Sequence, residues 1–541
     1  MIAWAPGTRR DSFSFDDREM LESPIIQGTR SWTAAFLGDA WEHRGNAGHW
    51  RPAATLSLRR DRAAYGDGPS AFARSNLALH LFVLLLATVC WRGLCFGRHL
   101  AMGRLKIGLW RGGVLGLAIF GAHPVLADSV AWISGRTSML SAAGGLLGLL
   151  GMRVATRGRP RAGLAFAASA AGLSLALMGK EDGLAFAPAY LLLAVFGGRR
   201  LLAASAAGIL FTCVSWVLLR QEVLGTPFQP LAHSPLAGHD LGQRLRIGCS
   251  AAFELLRICA WPTGYPPAWR ATAFLPNSTD GLAPSIAGAA LLAGLGAVVI
   301  WGLGTRGQTR LPLGSAAIAL CALIPVLQIV PLGEVAAPRF LYLPLLFAAP
   351  LLGYGLRQII RGRGAWLVLL PLVIASQQRS QIYASRLAYW EARLPSEADQ
   401  PQAWNALGNA YLELGERDQA RSAFEQATAI DPDYSRPWTG LAILALETGA
   451  LLEAEEHLMR ALATGPSNPI AWSNAGALWL RTEAWEAADQ AYTKATVLAP
   501  GRAAAWRGLA RAKRAQGLDS EAAAALAEAE RLDPSTQRAQ P

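Results

Sequence analysis

Apolar segments recur through residues 76–376, and a chain that carries them folds only with lipid as part of its solvent. They run over 76–97, 112–126, 138–152, 163–178, 184–196, 201–219, 283–303, 311–331, 340–356 and 364–376. About ten membrane spans are expected from them. Lipid offers no hydrogen bonds to a bare backbone, so each span must satisfy its own peptide groups as a helix. A composition of 52% hydrophobic and 16% charged residues agrees with that solvent. Between the segments, arginines and lysines cluster in alternate loops: Arg98 to Arg111, Arg153 to Arg161, Arg199–Arg200, Arg306 with Arg310, and Arg357 to Arg363. Cytoplasmic loops collect such charge. That rule puts 11–75, 123–136, 179–183, 220–281, 333–339 and everything after Gln377 on the opposite side. The apolar piece 249–262 would break the alternation if it crossed, so it is expected to be re-entrant or to lie on the surface, ending near Trp261 and Pro266-Pro267. The six cysteines sit in or beside apolar segments without metal or redox spacing, and read as packing residues.

After a linker over 377–400, a second pattern takes over. Trp-x2-Leu-Gly-x2-Tyr, Ala-x3-Phe and a closing Pro recur at 34-residue steps, the mark of tetratricopeptide repeats. Trp404, Leu407, Gly408, Tyr411, Ala420, Phe424, Ala427 and Pro432 complete the pattern once; Trp438, Trp472 and Trp506 open three further copies. Four repeats are expected, over 401–434, 435–468, 469–502 and 503–536, with a tail at 537–541. Their aromatic positions are assigned to packing between helices. The expected fold class is therefore all-α, a polytopic transmembrane helical domain followed by an α-solenoid, whose groove suits a protein or peptide partner. From Pro401 onward there are 13 basic and 18 acidic residues, so the repeat region is acidic and everything before it strongly basic. Loop arginines without interleaved aromatics argue against nucleic acid as a partner. Nothing before Asp11 has the apolar run of a signal peptide.

Chemistry-bearing residues gather in the loops assigned to the non-cytoplasmic side. Asp16 and Asp17 follow Phe13-Ser14-Phe15, and adjacent carboxylates suit one of them to act as a general base. Arg51 precedes Pro52, and Asn76 and His80 open the first apolar segment. His123, Asp128 and Arg136 lie in the next external loop, Lys180 and Glu181 in another, and Arg339 and Tyr342 at the start of the ninth segment. Charges at membrane ends also snorkel to the interface without further role. Together they describe a polar recess in which cations suit a lipid-linked phosphate and carboxylates suit removal of a hydroxyl proton. No metal-ligand set, Walker motif or nucleotide-sugar signature is present.

The order Phe-Asp-Asp, Arg-Pro, Asn-x3-His, His-Pro, Gly-Arg, Lys-Glu, Arg-x2-Tyr-Leu-Pro and then repeats resembles the transmembrane and TPR-containing O-mannosyltransferase family. That family has the GT-C glycosyltransferase fold. The resemblance implies a sugar donor linked to polyprenyl phosphate, transfer to a protein hydroxyl, and Asp16 or Asp17 as the base, with Asp128 assisting. It further implies donor-phosphate or substrate contacts among Arg51, His80, His123, Arg136, Lys180, Glu181, Arg339 and Tyr342. GT-C enzymes carry a membrane helix before the acidic loop, so such a helix is expected to be missing ahead of this start. Pro338 stands where the family has an acidic neighbour of the arginine, so Arg339 is expected to lack a local carboxylate partner. A membrane-anchored adaptor that acts only through its repeats is the first competing reading, and a transporter whose external charges line a path is the second. Abundant Ala, Gly and Arg point to a bacterial inner membrane with the repeats in the periplasm.

Overall fold

In a computed structural model, residues 4, 17–38, 50–95, 103–157, 161–195, 197–225, 234–269, 271–274, 282–304, 310–329, 334–360, 362 and 364–532 are described. Asp16 and the 537–541 tail lie outside them. The chain divides into two units, Met1–Ala392 and Arg393–Pro541. Helices and short 3-10 turns make up both, with a single isolated backbone bridge, Trp269 to Ala336, among the described residues.

In the first unit each apolar segment falls, over its described residues, mainly on helix. Five are long and apolar enough to cross a membrane unaided: Pro69–Cys95, Arg136–Ala155, Ala162–Gly179, Arg199–Leu224 and Pro338–Ile359. A sixth candidate, Ile107–Ala122 with Pro124–Val130, bends by 51°. Pro124 causes that break, because it lacks an N–H and disfavours helical backbone at His123. Phe186–Val195, Arg310–Ala322 and Leu369–Gln381 are shorter, at 10, 13 and 13 residues. Segment 249–262 falls, up to Ala260, on a longer helix, Leu241–Ala260, capped reciprocally by Asp240 and Gln243.

Lipid shows in what these helices leave bare. Only 22% of the apolar window of Arg199–Leu224 is buried in the protein, and Leu210, Phe211 and Leu218 point outward. A surface so apolar is stable against hydrocarbon, not water. Helix-to-helix contact relies on small residues instead: a Cβ on Gly148 would stand 2.8 Å from the Gly172 backbone, so Arg136–Ala155 and Ala162–Gly179 touch at their main chains.

The second unit holds four helix pairs, from Pro401–Glu413 with Arg417–Ile430 to Ala503–Ala515 with Asp519–Leu532. The Trp that opens each repeat is half-buried, and its indole N–H donates to a carbonyl six residues back, at 2.8 Å in all four: Ala398, Pro432, Pro466 and Pro500. Each such bond pins the turn that enters a repeat to its first helix. Phe424 wedges against Gly408 and Gly440, and Tyr492 against Gly476 and Gly508, where a Cβ would come within 2.1–2.7 Å of the rings. The corresponding positions of the second and fourth repeats hold Leu458 and Leu526. The array therefore repeats its packing every two units, an aromatic wedge alternating with a smaller leucine.

Candidate functional site

The short turn 127–136 organises one end of the helical bundle. Gly135 permits it, because a Cβ there would lie 2.2 Å from the Asp128 carbonyl oxygen. The Asn76 side-chain amide donates to the carbonyls of Trp132 (2.7 Å) and Ile133 (3.3 Å), fixing the turn to the Pro69–Cys95 helix. From this turn three polar networks radiate.

In the first, Asp128 is buried and both its oxygens are engaged. Oδ1 accepts from the Tyr383 hydroxyl at 3.0 Å; Oδ2 accepts from the Arg339 backbone N–H at 3.1 Å and its guanidinium at 3.3 Å. Arg339 also pairs with Glu334 and lies over the Trp132 ring, 5.0 Å from its centre. The expectation that Arg339 lacks a local carboxylate is thereby corrected. Its acid comes from five residues upstream, where the backbone bridge of Ala336 to Trp269 brings Glu334 round beside the guanidinium. Burial, then the Asp128 charge, pushes the Tyr383 phenol well above its usual range, so it stays a donor. Tyr383 lies in the stretch expected as a linker, as does Arg379, which donates to the carbonyls of Tyr265 and Pro266 at 2.9 Å each.

A second network centres on Lys180. Its ammonium sits 3.0 Å from Asp182 and donates to the Ser138 hydroxyl at 3.0 Å. It also faces the Phe340 ring at 5.4 Å, while the Arg339 guanidinium faces that ring at 5.9 Å. One aromatic thus lies against two cations. Glu181 is held by Arg220 at 2.9 Å and by Arg51 at 3.5 Å. Two buried atoms here make no hydrogen bond among the described residues: Asp182 Oδ1 and Arg51 Nε. Buried polar atoms without partners are uncommon in folded proteins.

The third network ties the N-terminal segment down. Ser134 donates to Asp17 Oδ1 twice, from its backbone N–H (3.0 Å) and its hydroxyl (2.9 Å), and Asp17 is fully buried. Next in the turn, Arg136 meets Asp61 at 2.7 Å and donates to the Ser57 hydroxyl and the Phe72 carbonyl. Asp17 adds to the negative potential at Arg136.

Both candidate histidines have structural partners. His80 accepts the Tyr342 hydroxyl proton at Nδ1 (2.9 Å) and faces the Gly121 carbonyl with Nε2 (3.4 Å). Both rings are fully buried in the apolar core. His123 accepts from the Val125 N–H at Nδ1 and donates from Nε2 to the Cys259 carbonyl at 3.0 Å, linking the turn to the Leu241–Ala260 helix. The structure thus brings Asp17, Asp128, Arg136, Lys180, Glu181, Arg51 and Arg339 to one end of the bundle, and it places His80 and Tyr342 against each other inside it. Sequence reasoning missed Asp182, Asp61, Ser134, Glu334 and Tyr383. Asp182 directly follows the Lys180-Glu181 motif and Glu334 stands five residues before Arg339, both within local reach; Asp61, Ser134 and Tyr383 pair across distances that no local pattern marks.

A tetratricopeptide repeat family matches residues 405–469. Protein O-mannosyl-transferase Tmtc2 of Drosophila melanogaster is 29% identical over 179 residues, 31% of this chain and 18% of that protein. Protein O-mannosyl-transferase TMTC2 of Homo sapiens is 30% identical over 143 residues, 26% of this chain and 16% of that protein. Parts of the chain are thus similar to these O-mannosyl-transferases, and residues 405–469 match tetratricopeptide repeats. The chain spans only those small fractions of the relatives it matches. Among solved structures, MamA of Desulfovibrio magneticus RS-1 is 20% identical over 28% of this chain and 85% of that one, with a TM-score of 0.24. Pseudomonas aeruginosa pilF is 24% identical over 25% of this chain and 61% of that one, also at 0.24. The ion-paired end of the bundle is the candidate site.

Proposed function

We propose that this membrane protein is a glycosyltransferase that moves a sugar, mannose or a close relative, from a polyprenyl-phosphate donor to a protein hydroxyl on the non-cytoplasmic side. The observation that carries the reading is the convergence, at one end of the bundle, of Asp17 with two cation networks around Lys180 and Arg339. In this reading the Asp16-Asp17 pair takes the proton of the acceptor hydroxyl, and the oxygen attacks the sugar carbon from the face opposite the phosphate. The carbon–phosphate-oxygen bond breaks, and its electron pair leaves on the polyprenyl phosphate. Lys180 and Arg51 are the cations for that phosphate: Lys180 has three donors, and Arg51 keeps a buried Nε unused. Asp128, Glu334 and Asp61 hold the neighbouring arginines in place, so Arg339 and Arg136 shape the recess and its positive field. The repeats, in a bacterial periplasm, would present or select the acceptor protein.

Membranes containing the wild type are expected to transfer radiolabelled mannose from polyprenyl-phosphate mannose to protein. The double Asp16→Asn, Asp17→Asn variant keeps the shape and the Ser134 hydrogen bonds but loses the basic oxygen, and should abolish transfer. Full activity of the double variant would remove the base assignment. A second reading, a membrane-anchored adaptor, is favoured by the family match falling on the repeats. It predicts no transfer by the wild type together with retained binding of a peptide partner.

A further inference from the structure

The opposite end of the bundle carries cations without acids. Residues 68–127, 129–180, 183–221, 281–333 and 335–390 contain no Asp or Glu, and all five arginine clusters fall in these stretches. No carboxylate within the membrane domain's basic loops can therefore neutralise them. Arg153, at the end of Arg136–Ala155, senses the positive charges of Arg157 and Arg92. Among the described residues its guanidinium makes one long hydrogen bond, 3.5 Å to the Val89 carbonyl. Gly93 leaves it room, since a Cβ there would overlap the guanidinium.

Arg153 is the charged residue lining a cavity of about 110 Å³. The rest of the wall is almost wholly apolar, including Leu94, Leu146, Leu149, Leu192, Ile318 and Phe347. On Pro69–Cys95, Arg136–Ala155 and Phe186–Val195 the lining residues run from mid-span toward the arginine end, while Leu117, Ile318, Leu346 and Phe347 line the slot from nearer mid-span. Such a shape, an apolar slot with cations at one mouth, matches an amphiphile whose anionic head meets the arginines and whose chain enters the slot.

We infer that this cavity, with Arg153 at its rim and Arg92 and Arg157 beside it, binds one anionic phospholipid of the adjoining leaflet. The lipid phosphate supplies the counter-charge that the sequence withholds from this end, and a short stretch of one acyl chain enters the slot between the helices. Basic pockets between membrane helices on the cytoplasmic side hold acidic head groups in this way. The site lies at the other end of the spans from Asp128 and Lys180, so it is independent of the proposed transfer chemistry.

Native mass spectrometry of the full-length protein, from micelles containing equal phosphatidylglycerol and phosphatidylcholine, tests the site. The wild type should retain phosphatidylglycerol preferentially. Arg153→Ala should lower that retention about five-fold, the effect of one cation at an anionic head group, and Arg153→Lys should largely restore it. Leu149→Trp leaves every charge in place and fills the slot, so it should lower retention of the same lipid by a separate route. Equal retention of the two lipids by the wild type would overturn the inference. So would an unchanged preference in both Arg153→Ala and Leu149→Trp, or displacement of phosphatidylglycerol by added polyprenyl phosphate at equal concentration.

Discussion

Removing the Asp61 carboxylate should cost more than any surface substitution in this protein. Asp61 and Arg136 meet at 2.7 Å with side chains 8% and 3% exposed. At that separation and an effective dielectric of ~20, two unit charges attract by about 6 kcal/mol. Part of this offsets desolvation, so the pair itself adds little against an apolar replacement; stranding one member is what costs, by about 3–5 kcal/mol. Asp61→Leu leaves the Arg136 guanidinium with the Ser57 hydroxyl and the Phe72 carbonyl, neither of them charged. Arg136→Met strands the carboxylate instead. The double variant removes both charges and should be more stable than either single one. Unfolding of the purified protein in mixed micelles, followed by helix content, measures all four corners of the cycle. Costs for the two single variants that add within about 0.5 kcal/mol in the double would refute the buried-pair argument. Because Arg136 closes the turn that also holds Asp128 and Asp17, the single variants should also weaken any sugar transfer that the protein performs.

The repeats and the external loop offer two further tests. Gly440→Ala and Gly508→Ala place a methyl within 2.5 Å of Phe424 and 2.1 Å of Tyr492 respectively, and overpacking of this kind costs about 1–3 kcal/mol. Thermal unfolding should show the loss at both, and Phe424→Leu should rescue Gly440→Ala; an unperturbed melting temperature in Gly440→Ala would contradict the wedge. Burial, against the opposing charge of Arg379 and with help from Asp128, pushes the Tyr265 phenol up to about 12. The unfolded chain loses that proton near pH ~10 and the folded one two units later, so the contribution of Tyr265 to stability is present below pH ~10 and falls as pH rises to about 12. Tyr265→Phe should flatten that part of the stability profile, and ultraviolet titration of the native protein between pH 9 and 11 should be the same with or without Tyr265.

Local patterns account for most of what could be read in advance. Each apolar segment became a helix because lipid leaves the backbone no other partner, and that requirement is met within a segment. The 34-residue period gave four helix pairs for a similar reason, since each unit buries its face only against the next. Even the two-repeat alternation of Phe424 and Tyr492 with Leu458 and Leu526 is written in the sequence, with glycines four residues after one Trp and two after the next. The polar end was legible only as residue types: an arginine, a lysine or a carboxylate near a membrane end looks alike whether it snorkels or pairs. Which partner each one takes depends on helices that meet far apart in the chain, as Tyr383 and Asp128 do across 255 residues and Arg339 and Asp128 across 211. Sequence alone determined the helices, the repeats and the separation of basic loops from acid-bearing ones. Only the tertiary structure decided that Asp128 is clamped, that Asp61 holds Arg136, that His80 and Tyr342 face each other in the core, and that Asp182 is left with a buried oxygen unsatisfied. Burial and pairing are properties of neighbours in space, and a period read along one dimension carries no record of them.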